Sequence, residues 1–128
     1  MVNVLVVDDH AGVLQALADL LSFSVELTVV GTATDAEGAL AFLEQGNRVD
    51  VAVFDISMLG RDGLSLASEV RTRWPALRML MLSMHSASEY VHLARRAGAH
   101  GYINKEDAPD ELEGAVLALA AGQTHFPA

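Results

Sequence analysis

The amino-acid sequence predicts an α/β domain, a parallel sheet of five strands covered by helices on both faces. Two observations predict it. Short apolar runs alternate about five times, across short connections, with stretches whose apolar residues recur at helical spacing. Central runs such as "VAVF" (residues 51–54) are apolar throughout, as strands buried on both faces must be.

The elements follow in order. "NVLVVDD" reads as the first strand, and "HAGVLQALADLLSF" as a helix whose apolar face is Val13, Ala16, Leu17, Leu20 and Leu21. "ELTVVGTA" is a more polar strand, which suits a sheet edge. In "TDAEGALAFLEQG", Ala36, Ala39, Leu40 and Leu43 form a helical face, and Gly46 stands where a helix stops. "VDVAVFD" is the third strand; Leu66, Val70 and Trp74 mark the next helix, which Pro75 closes. "LRMLMLS" is the fourth strand. "ASEYVHLARRAG" is a helix with Ser88 near its start and Gly98 at its end. "HGYIN" is a short fifth strand. In "APDELEGAVLALAAG", Pro109 fits the first helical position, and Asp110 and Glu111 complement the helix dipole.

Composition bounds the function. With 128 residues, 52% hydrophobic and 20% charged, the chain suits one domain with one core. Its apolar runs fall short of the ~20 residues of a membrane span. The start "MVNVLVVDDH" has no basic segment, so no signal peptide is expected. The lack of cysteine excludes disulfides and thiolate metal sites, and fits a cytoplasmic protein. A formal charge of −9, from 8 basic and 17 acidic residues, repels nucleic-acid phosphates. Any action on DNA would need another segment.

In open α/β sheets, ligands bind at the carboxyl ends of the strands. There the first strand delivers Asp8 and Asp9, and the third delivers Asp55. The fourth delivers Ser83, followed by Met84 and His85, and the fifth is followed by Lys105. Each has a plainer explanation alone: a capping "DD", a loop-capping Asp55, a backbone-bonded Ser83, a surface Lys105. Their common place at the ends of successive strands favours a joint role. Three adjacent carboxylates repel one another, and a divalent cation relieves this. Mg²⁺ binds through a few carboxylates and leaves positions for phosphoryl oxygens. An ionised, partly desolvated Asp can attack phosphorus, while Lys105 and the Ser83 hydroxyl stabilise the transferring group. No G-x-x-x-x-G-K loop is present, so ATP itself is not the expected substrate.

The ordered set "VLVVDDH", "VAVFDISMLGRDG", "LMLSMH" and "GYINKEDAPDELEGAVLALAAG" resembles the receiver domain of two-component response regulators, over nearly the whole chain. "DDH", "LSMH" and "GYINKEDAPDEL" look most like the subfamily with a C-terminal LuxR-type helix-turn-helix. The resemblance implies a flavodoxin-like (βα)5 three-layer sandwich with strand order 2-1-3-4-5. It implies that Asp55 accepts a phosphoryl group from a sensor histidine kinase. Asp9, Asp55 and the Ser57 carbonyl would hold Mg²⁺ (or Mn²⁺), with Asp8 helping through water. Lys105 would pair with the phosphoryl oxygens, Ser83 would hydrogen-bond them, and Tyr102 would be the switch aromatic. Residues 1–124 would form the receiver, and 125–128 the start of a linker or the chain end. The expected partners are the kinase and, on phosphorylation, a second copy; DNA would be reached only through a C-terminal domain, and no membrane is involved. Such a module promotes its own phosphorylation and dephosphorylation but is not a turnover enzyme.

Some residues depart from the family pattern. Leu59 replaces the usual proline, Glu106 follows the lysine where proline is common (so a trans bond is expected), and Leu14 replaces an early arginine. Met84 stands where a small residue is frequent and would shield the phosphoryl group or slow its transfer. Ser57 and His85 occupy positions that tune dephosphorylation. His10, His85, His92, His100 and His125 are scattered and read as unrelated surface residues rather than a zinc site. Two rivals stay open. An Asp-nucleophile phosphohydrolase would place a second aspartate where Ser57 stands, and a degenerate receiver would act only by binding a protein partner.

Overall fold

The computed structural model describes residues 1–58, 60–84 and 88–127. Five strands, β1 (Val2–Val7), β2 (Leu27–Ala33), β3 (Val51–Asp55), β4 (Arg78–Ser83) and β5 (Gly101–Asn104), alternate with α1 (Ala11–Ser22), α2 (Ala36–Glu44), α3 (Gly63–Arg73), α4 (Ser88–Arg96) and α5 (Ala108–Ala120). All pairings are parallel and the order is β2-β1-β3-β4-β5. The more polar β2 lies at an edge, as its composition predicts.

Side chains along a strand alternate between faces, so the sheet divides the core in two. Val4, Val6, Val51, Val53, Leu80, Leu82 and Ile103 pack on one face with α1 and α5, through Leu17, Leu21, Leu112 and Val116. Leu5, Val7, Ala52, Phe54, Met79, Met81 and Tyr102 pack on the other with α2, α3 and α4, through Leu40, Leu66, Val70 and Ala94. Deleting a fully buried ring such as that of Phe54 should cost about 3–5 kcal/mol.

Helix ends obey local chemistry. Asp35 and Asp62 cap α2 and α3 through Gly38 N–H (2.7 Å) and Ser65 N–H (2.8 Å). Gly46 follows α2 at φ 85°, a left-handed position that glycine takes without steric cost. Three details differ from the sequence expectation. In α1 it is Leu14, with Leu17 and Leu21, that is buried, while Ala16 is exposed. A 3₁₀ turn, Lys105–Asp107, precedes α5, so Pro109 occupies the second helical position rather than the first. His100 is a joint in the sheet rather than a surface histidine: its Nδ1 accepts the Met79 N–H at 3.0 Å.

Candidate functional site: an acidic rim with one lysine

The β1–β3 register pairs Val7 with Phe54, which brings the next residues, Asp8 and Asp55, abreast at the carboxyl edge. Asp8 is wholly buried and Asp55 is 4% exposed. Carboxylates so placed need partners, since burying an unpaired charge is costly. Lys105 supplies one to both: its Nζ lies 2.9 Å from Asp8 Oδ2 and 3.1 Å from Asp55 Oδ2. The second oxygen of each accepts a backbone N–H two residues on, His10 to Asp8 Oδ1 (2.9 Å) and Ser57 to Asp55 Oδ1 (3.1 Å).

Asp9 completes the rim. Carboxylate oxygens of Asp8, Asp9 and Asp55 lie within 4.8 Å of one another. Three carboxylates against one ammonium leave two negative charges uncompensated, the charge of a divalent cation. The donors are all hard oxygens, so they suit Mg²⁺-type coordination. Burial raises the Asp55 pKa above its ordinary 3.8; the Lys105 hydrogen bond and charge oppose this, the Asp8 charge adds to it, and the Ser57 N–H opposes it. For Lys105, burial disfavours the ammonium, but its bonds to Asp8 and Asp55 prevail and hold its pKa above 10.5.

Ser83 is wholly buried and follows Met79 and Met81 onto the α3/α4 face. Tyr102 pairs with Met81 across β4–β5, so Ser83 is its diagonal neighbour on that face, within reach of an aromatic side chain. Tyr102 is buried, and Ser83 acts on its hydroxyl group. Burial raises the Tyr102 pKa; Ser83 lowers it and Tyr90 adds a smaller upward push.

Ile56, Arg61 and Gly63, on either side of position 59, are each held in place. Gly63 N–H donates to the Ile56 carbonyl (2.9 Å), and a Cβ at Gly63 would stand 2.3 Å from the Asp55 carbonyl oxygen, so only glycine fits there. Arg61 donates to Ser65 Oγ (2.9 Å) and pairs with Glu69 (2.7 Å), which ties it to α3.

The structure thus brings together Asp8, Asp9, Asp55 and Lys105, with the Ser57 amide on Asp55 and the Ser83–Tyr102 pair on the other face of the sheet. The Ser57 side chain is exposed, and Met84 is 62% exposed. The Lys105–Glu106 peptide is trans. His85 and Leu59 lie outside the described residues. Sequence reasoning missed three supports. Arg61 tethers the loop, Gly63 permits the close approach, and the Asn104 side chain accepts the Glu106 N–H (3.0 Å) to shape the turn that presents Lys105. An Asn directly before the lysine was the available signal for the last. A concavity of about 770 Å³ lies at the opposite end of the sheet beside Trp74 and Arg48.

A parallel 2-1-3-4-5 sheet with a carboxylate–lysine cluster at its carboxyl edge defines a flavodoxin-like acidic-rim domain. The family model "Response regulator receiver domain" matches residues 4–117, and the chain belongs to that family. It is 39% identical over 124 residues to the DNA-binding transcriptional activator DevR/DosR of Mycobacterium tuberculosis, covering 97% of this chain and 57% of that protein. It is 38% identical over 122 residues to the transcriptional regulatory protein UhpA of Escherichia coli, covering 95% and 60%. The chain spans about three-fifths of the length of these relatives. Among solved structures, the receiver domain of the putative response regulator NarL from Mycobacterium tuberculosis superimposes with TM-score 0.88 at 35% identity, covering 95% of this chain and 98% of that one. The isolated receiver domain of RcsB from Salmonella enterica, with phosphomimetic BeF3−, gives 0.87 at 28% identity, covering 98% and 93%. These relatives are consistent with the LuxR-type subfamily.

Proposed function

We propose that Asp55 accepts a phosphoryl group from the phosphohistidine of a sensor histidine kinase, and that this switches an output carried outside residues 1–124. The observation that carries the reading is the Lys105 bridge between Asp8 and Asp55. It pairs two buried carboxyl groups with one ammonium at the carboxyl edge of the sheet, with Asp9 beside them.

The chain's own groups divide the work. An Asp55 oxygen attacks phosphorus; the P–N bond to the donor imidazole breaks, and its electron pair stays on the imidazole nitrogen. The Ser57 N–H orients Asp55 by holding Oδ1, which leaves Oδ2 to the lysine side. Lys105 moves with the charge from the carboxylate to the phosphoryl oxygens. Asp9, Asp55 and the Ser57 carbonyl would hold Mg²⁺ (or Mn²⁺), with Asp8 as an outer partner. When bound, the cation would neutralise the carboxylates and the incoming phosphoryl oxygens. Phosphorylation adds about −1.5 to −2 charge at the rim. That charge recruits the Ser83 hydroxyl and biases Tyr102, a shift in population between two arrangements. Ser57 and His85 would tune the lifetime of the phosphoryl group. The module regulates rather than turns over a substrate, and works in the cytoplasm where its kinase and Mg²⁺ are. By analogy with its relatives, its output is transcription control through a C-terminal DNA-binding domain, with dimerisation on phosphorylation.

The test is incubation with acetyl phosphate and Mg²⁺, read by mass spectrometry. One phosphoryl mass is expected on the wild type and none on Asp55→Asn. An unlabelled wild type at saturating donor and Mg²⁺ would sink the reading.

A further inference from the structure

After α5 the chain returns to the sheet. His125 forms a parallel bridge with Gly101: its N–H donates to the His100 carbonyl (3.0 Å), and its carbonyl accepts the Tyr102 N–H (2.8 Å). This covers the outer edge of β5, which would otherwise present unpaired backbone groups. Side chains fasten it on both sides. Phe126 packs against the α3/α4-face core, and the Arg95 guanidinium of α4 lies 3.8 Å over its ring. His125 Nε2 is 3.3 Å from Glu111 Oε1 of α5. A cavity of about 350 Å³ between this segment, β5 and α5 is lined by Tyr102, Phe126 and Pro127, among others.

We propose that residues 124–127 form a strap whose docking on β5 is energetically coupled to occupancy of the Asp55 rim, through Tyr102 and Ser83. The inference rests on the phosphoacceptor reading above. The strap holds the backbone of the same tyrosine that lies diagonally beside Ser83 on the β4–β5 face. A phosphoryl oxygen at Asp55 draws the Ser83 hydroxyl hydrogen, leaving Ser83 Oγ to accept from the Tyr102 hydroxyl. Successive hydrogen bonds reinforce one another, so this chain fixes Tyr102 inward. A fixed Tyr102 presents a fixed N–H and ring face to the strap. Occupancy of the rim therefore clamps the strap, and by linkage a docked strap tightens binding at the rim. A segment beyond residue 127 would thereby sense the rim from the opposite end of β5.

The test uses the full chain with Mg²⁺ and beryllofluoride as the phosphoryl mimic. Amide hydrogen exchange of Tyr102 and His125 reports strap opening directly. Saturating mimic should slow both amides by about five-fold or more, the lower end of ordinary coupling between sites. Phe126→Ala should weaken the mimic's apparent affinity by the same factor. Because the exchange measurement uses the unmodified chain, it decides the matter even if the variant folds poorly. Absence of any saturable, Mg²⁺-dependent binding would overturn the phosphoacceptor reading. Saturable binding with unchanged or faster exchange would leave that reading standing and overturn the coupling.

Discussion

Lys105 and Asp55 meet at 3.1 Å across the carboxyl edge of the sheet, and the same ammonium reaches Asp8 at 2.9 Å. One cation thus serves two carboxylates, and removing it strands both. Breaking a buried ion pair from one side costs about 3–5 kcal/mol; the partial exposure of Lys105 argues for about 1–3 kcal/mol here. Lys105→Met should lose that much in urea unfolding at pH 7, and less as pH falls, because the raised pKa of Asp55 lets its carboxyl group take up a proton early. Its Asp55 pKa, followed by carboxyl-carbon NMR, should rise further. A cost that does not change with pH would contradict this account.

Mg²⁺ should stabilise the chain by mass action, by about 2.7 kcal/mol at a hundredfold excess over Kd. Asp9→Ala, which removes one of the three rim carboxylates, should abolish most of that gain, measured against the variant's own metal-free stability. Thermal melts with and without Mg²⁺ read both effects. An undiminished shift in Asp9→Ala would remove Asp9 from the metal site.

The Asp55 pKa is raised, so the folded state favours its neutral form. The sign follows from linkage: this contribution to stability is full below the ordinary value of 3.8 and is lost as pH rises through the folded value. Asp55→Asn removes the term. Relative to wild type, the variant should gain stability between pH 3 and pH 7, as judged by denaturant midpoints at each pH. A constant difference would show that Asp55 does not titrate abnormally.

His100 behaves oppositely. Its pKa is lowered, by burial first and then by Arg78 and Arg71, and its Nδ1 is committed to the Met79 N–H. The neutral ring contributes stability that is full above 6.5 and is lost as pH falls through the folded value. In His100→Asn, whose side-chain oxygen can still accept from Met79, stability should be flatter below pH 6.5. An unchanged pH profile would exclude His100 as its source.

Much of this molecule was legible in the sequence because it is local. The α2 face needs only helical spacing, Gly46 only its φ, and the placing of Asp8, Asp55, Ser83 and Lys105 at one edge only parallel strands. What escaped depends on partners distant in the chain. Leu14 is buried and Ala16 exposed because of what packs against α1, which spacing alone does not reveal. That Ser83 lies beside Tyr102 came only from the family resemblance; spacing does not set it, because it follows from the pairing of Met81 with Tyr102 between two strands. The return of His125 to β5 leaves no local mark, since a polar tail after a helix reads the same docked or loose.

The alternation that splits the core has a further consequence. Asp8 and Asp55 continue the residues that face α1 and α5, whereas Ser83 and Tyr102 belong to the side of α3 and α4. The sheet is a wall between two rooms, and the chemistry happens in one while its reading hangs in the other. News of it can pass only around the top of the wall, where Ser83 stands at the doorway. A single-residue slip of β4 would turn Ser83 back into the first room and leave Tyr102 facing a methionine or a leucine, with the wall intact and nothing to hear through it.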